Sequence, residues 1–166
     1  MHVPSPAWLR QVSSCSILAV LAAALGCDAD SATEKPLVAA NWESTLTEVR
    51  GCRQGPEHDL EYVRLLSDSA SVADFNRCAV DGGTCTTPFP EGALFVKPQY
   101  ADANCQTLVR ISVAKKTSLD ADAELGGWQW QELDQDLGVN TIKPARCASC
   151  HATCEGSFDH RCYMMP

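Results

Sequence analysis

The chain has 166 residues with 13 basic and 21 acidic side chains, for a net charge of −8, and ten cysteines. This acidity argues against binding nucleic acid and against electrostatic attraction to anionic lipid. With no internal repeat or low-complexity tract, the length allows one domain with one modest core.

The N-terminus reads as an export signal. Met1 to Ser14 carry one formal charge, Arg10, and the apolar run Ile17 to Leu25 follows. Its nine residues fall short of the roughly twenty that cross a bilayer as a helix, so a signal peptide over residues 1–26 is expected rather than a membrane span. Ala24-Leu25-Gly26-Cys27 resembles a bacterial lipoprotein box, with Cys27 as the lipidated first residue of the mature chain. Acyl chains there would anchor the protein stably to a membrane surface. Without the signal, 12 basic and 21 acidic residues remain, a net −9 suited to a basic electron-transfer partner. Asp28 to Pro36 is polar, so residues 27–40 are expected to form a tether and residues 41–166 the domain.

Leu60 to Leu66 (LEYVRLL) reads as a strand. Ser71 to Arg77 then reads as one or two turns of helix, with Ser71 as its N-cap. Asp81-Gly82-Gly83 breaks the chain, and Thr87 to Pro90 is turn material. Gly92 to Lys97 alternates, with Ala93, Phe95 and Lys97 on one face and Leu94 and Val96 on the other. Thr107 to Ala114 is the next strand. Trp128 to Leu133 follows, with both tryptophans pointing the same way. Successive strands without long helices between them predict an α+β, mainly β fold built on an antiparallel sheet. A short helix is expected at the C-terminus.

That last helix carries CASCH: Cys147, Ala148, Ser149, Cys150 and His151. This is the attachment pattern of c-type haem. Two thiols one helical turn apart can each add to a vinyl group on one porphyrin edge, and the next histidine supplies the axial nitrogen to iron. The predicted cofactor is therefore covalently attached haem c, held by Cys147 and Cys150 with His151 as ligand. Met164 and Met165 follow too closely to reach the opposite haem face, which leaves an open iron position. Zinc held by Cys147, Cys150, His151 and Cys154 is the rival reading.

With Cys15 in the signal, Cys52, Cys78, Cys85, Cys105, Cys154 and Cys162 remain, an even set. In an oxidising compartment they read as disulfides of undetermined pairing.

Five segments in order resemble the cytochrome P-460 family, which includes the beta-type cytochromes c-prime. They are EYVRLLSDSASVADF (Glu61 to Phe75), FPEGALFVK (Phe89 to Lys97), GGWQWQELD (Gly126 to Asp134), CASCH, and FDHRCY (Phe158 to Tyr163). The resemblance implies a twisted antiparallel sheet with a C-terminal c-haem segment. It also implies a possible bond between Lys97 and the porphyrin, and assembly as a homodimer. A distal arginine is expected in the first strand, where the register falls on Val63 with Arg64 beside it. The six surplus cysteines depart from the simplest members.

The expected activity is binding of hydroxylamine or NO at the open iron, with oxidation and electron transfer to a periplasmic acceptor. Glu132, Asp134 or another acid would accept protons. The alternative is a non-catalytic NO-binding protein, its pocket capped by groups such as Phe95, or an electron carrier. The expected location is the bacterial periplasm, free or as a membrane-anchored lipoprotein.

Overall fold

Alternating apolar residues in four successive segments bury both faces of one sheet. The computed structural model describes residues 34–55, 61–80, 87–117, 126–142 and 145–154. The signal segment, Cys27, Cys85, Cys162 and the FDHRCY motif lie outside these residues.

The elements are α1 (Trp42–Thr45), β1 (Thr47–Gln54), β2 (Tyr62–Ser67), α2 (Ser69–Val80), β3 (Leu94–Tyr100), β4 (Leu108–Lys116), β5 (Trp128–Leu133), β6 (Val139–Ile142) and α3 (Ala145–Ala152). The strands form one six-stranded sheet in sequence order, and every neighbouring pair is antiparallel. The fold is mainly β with a few short helices, as the strand pattern predicts.

One sheet face carries Ala93 and Phe95 of the β3 arm, Ala114 of β4, and Trp128 and Trp130 of β5, joined by Phe89. Phe75 and Cys78 bring α2 onto this aromatic face, and Cys147 and Ala148 bring α3. The other face buries Leu66, Val96, Ile111, Val113 and Leu133 under Val38 and Trp42.

Those last two residues revise the tether boundary. The buried Gln131 side chain accepts a hydrogen bond from the Leu37 N–H (2.7 Å) and donates one to the Lys35 carbonyl (3.0 Å). The segment from Lys35 onward therefore belongs to the domain, because Val38 has an apolar floor to bury against.

The N-cap of α2 also differs from expectation. Asp68, not Ser71, fills that role. Its carboxylate accepts from the Ser71 N–H (3.0 Å), the Ser71 hydroxyl (2.6 Å) and the Leu94 N–H (2.8 Å), tying helix to strand. Burial works against the charge, but these bonds outweigh it and hold the carboxyl below its ordinary value.

Cys52 and Cys105 form a disulfide with Cα atoms 5.9 Å apart, joining β1 to the β3–β4 connection. Cys78 and Cys154 are disulfide-bonded as well.

Candidate functional site

The site begins with a cross-strand row. Lys97 pairs with Ser112, and Ser112 with Glu132, so one residue from each of β3, β4 and β5 lies side by side. The next row pairs Gln99 with Arg110. The Gln99 amide donates to the Ser112 hydroxyl (2.8 Å) and accepts from Arg110 Nε (2.9 Å), while Arg110 Nη2 donates to Glu61 (2.9 Å). Gln99 is fully buried, so this chain of polar groups is fixed rather than solvated. On the opposite flank Phe95 pairs with Ala114, and Ala114 with Trp130, where the surface turns aromatic.

The eight-residue helix α3 lies on this face. Cys147 and Cys150 stand at i and i+3, with His151 directly after. Cys147 is half-buried and Cys150 exposed, and neither is in a disulfide. Burial raises the Cys147 pKa, and the Glu132 charge pushes it the same way. Arg146 pulls it down, Cys150 pushes it up, and Lys97 pulls it down, so sheet groups of both signs act on one sulfur. His151, half-exposed at the helix end, stacks on Trp130 with ring centroids 4.2 Å apart and planes 33° apart.

Chemically, this face presents two alkylatable sulfurs on one side of a helix. It adds an imidazole that lies face-on against an indole. A cation and a carboxylate stand close to the first sulfur.

Cys147, Cys150 and His151 come together on α3, and Lys97 lies in a neighbouring row of the sheet face on which α3 packs. Other expectations are corrected. Arg64 does not reach this face. It alternates with Leu65, which packs on the aromatic cluster, and instead joins Glu48 and Tyr100. Val63, which shares the Leu65 face, offers no charge. Phe95 is 1% exposed and at ring contact with Phe75, Phe89 and Trp128, so it belongs to the core and caps no pocket. Asp134 is occupied by the turn after β5, accepting from the Asp136 and Gly138 N–H groups (2.9 and 2.7 Å). Glu132 is therefore the acid beside Cys147. Cys154 is disulfide-bonded, so its sulfur is not a thiolate donor for zinc. Met164 and Met165 lie outside the described residues.

Sequence reasoning gave no role to two further groups on this face. Lys116 is fully buried, its ammonium 5.1 Å from the centre of the Trp128 ring. The Arg50 guanidinium lies 5.9 Å over the Phe75 ring. The period-2 spacing that put Phe95 and Lys97 on one face would have put Lys116 with Ala114. Nothing in the polar sequence of β1 marks Arg50.

The fold and site thus define a small, mainly β protein that seats a CxxCH helix on an aromatic sheet face. No protein-family model matches the chain, and no curated protein matches it significantly.

Proposed function

We propose that this chain is an exported c-type haem protein of the cytochrome P-460 kind, which binds hydroxylamine or NO at an open iron position and oxidises it. The observation that carries the reading is the state of the cysteines. Among the described residues, Cys52, Cys78, Cys105 and Cys154 are oxidised while Cys147 and Cys150 remain thiols. Export explains the first group, and a covalent role for the motif explains the second.

The donor set fits haem c. Cys147 and Cys150 would carry the thioether bonds and His151 the iron, and Trp130 lies against the face of the imidazole rather than in its plane. When bound, the haem supplies a redox-active iron that takes electrons from a small nitrogenous molecule. The chain's own residues do the rest. The aromatic face excludes water from one side of the helix. Glu132 accepts protons released on oxidation. Lys97, in the sheet row beside the Phe95–Ala114–Trp130 row, is the residue that would bond to the porphyrin edge.

In this reading electrons pass to a basic periplasmic acceptor, and Cys27 carries the lipid that holds the protein at the membrane. The same site without proton transfer would serve an NO binder or an electron carrier.

Mass spectrometry of a digest of the matured protein tests the proposal. The peptide carrying Cys147 and Cys150 is expected to hold one porphyrin, with Lys97 joined to it. A porphyrin with Lys97 unmodified favours the binder, and unmodified cysteines contradict haem attachment altogether.

A further inference from the structure

We propose that Trp130 is the positioning residue of His151: the indole fixes the plane of the imidazole and so the direction in which its nitrogen can bind iron. This rests on the haem reading above and adds a residue that the motif does not contain.

A histidine at the end of a short surface helix ordinarily samples several rotamers. Here one arrangement is selected. The 4.2 Å separation from Trp130 is the closest ring contact described, against 5.1 to 6.2 Å for the other aromatic pairs. The indole cannot follow the imidazole if it turns. Trp130 is 4% exposed, in ring contact with Trp128 at 6.2 Å, and pairs with Ala114 in the sheet. The helix cannot drift from the indole either, because Cys147 and Ala148 pack on the same cluster. Sheet, indole and helix therefore define one imidazole plane.

Geometry also separates what Trp130 covers from what it leaves open. A stack uses the π face of the ring, while the coordinating lone pair lies in the ring plane. The indole can thus hold the ligand without competing for the metal. It also shields one imidazole face from water, and burial and ligand orientation are among the levers by which a protein sets an iron potential.

The test compares Trp130→Phe, which keeps an aromatic face, with Trp130→Leu, which keeps apolar bulk without one. Circular dichroism and thermal unfolding establish that each variant folds. In the exported full chain prepared without haem, proton NMR reads the stack directly. The His151 ring protons are expected upfield in the wild type from the indole ring current, partly so in Trp130→Phe, and unshifted in Trp130→Leu.

In the haem-loaded protein, added imidazole should displace His151 about 10–100-fold more readily in Trp130→Leu, the cost usual for losing a residue that orients a ligand. The same variant should show a lower iron midpoint potential and broadened EPR features, with Trp130→Phe near the wild type. Absence of the ring-current shift in the wild type overturns the proposal even if haem is bound. So do an unchanged potential and EPR spectrum in Trp130→Leu. A wild type that shows the shift but takes up no haem overturns the haem reading, and with it the role given to Trp130.

Discussion

Two acids separated by one residue illustrate how chemistry is assigned at the residue scale. Glu132 and Asp134 have the same charge and, by strand periodicity, the same face. Asp134, however, falls just past the end of β5, where its short side chain accepts from the turn's N–H groups. A Cβ on Gly138 would come 2.5 Å from the Asp134 carboxylate, so a side chain there would push on the group that holds the turn. Glu132 stays in the row with Ser112 and Lys97. Replacing it by Gln is expected to slow hydroxylamine oxidation about 10²–10⁴-fold, the usual worth of a positioned base, while leaving haem content unchanged. Steady-state kinetics alongside haem quantitation check this. An equal loss in Asp134→Asn with none in Glu132→Gln would reverse the assignment.

Asp68 makes the corresponding structural case. Its folded pKa lies below the ordinary 3.8, so its contribution is complete above that value and is lost as pH falls through the lower folded value. Asp68→Ala should cost about 1–2 kcal/mol in denaturant unfolding at neutral pH, the range for a lost N-cap. The difference from wild type should vanish in acid.

At the scale of elements, legibility followed burial. β2 to β5 each bury residues and show it in their sequences. The edge strands β1 and β6 escaped detection. β1 is TEVRGCRQ, mostly exposed, and β6 has four residues. An edge strand buries little, so it carries little hydrophobic alternation. The alternation Gly92 to Lys97 marks this strand only as far as Lys97, yet β3 continues through Pro98 to Tyr100. Proline lacks the N–H that a ladder uses, and sequence reasoning treats it as a stop for that reason. Here Pro98 sits opposite Ile111 and the neighbouring pairs keep their register.

The disulfide between Cys52 and Cys105 compensates for the weak edge. It spans a sequence separation of 53 and adds a covalent tie to a strand whose hydrophobic contact is through Val49. Replacing both cysteines by Ala should lower stability by about 2–4 kcal/mol, the usual worth of a disulfide. Calorimetry of the double variant measures this, and a change near zero would mean that β1 is held by its ladder alone.

For the whole molecule, the sheet separates two tasks between its faces. One buries aliphatic residues under the Lys35–Trp42 strap, clamped by Gln131. The other turns aromatic and polar rows toward α3. The CxxCH spacing is legible in the sequence because it is local: four of its five residues lie within a turn of one another. The place of Trp130 under His151 is not, since a strand residue meets α3 only through sheet register. Register likewise decides between Val63 and Arg64, since one residue determines which face a side chain joins. The decisive measurement is the visible spectrum of the matured, purified protein, oxidised and reduced, together with its pyridine haemochrome. One covalently retained haem per chain, with a reduced band shifted to the red by the Lys97 bond, is the predicted result. A colourless protein, obtained from cells that load other c-type cytochromes normally, would contradict it.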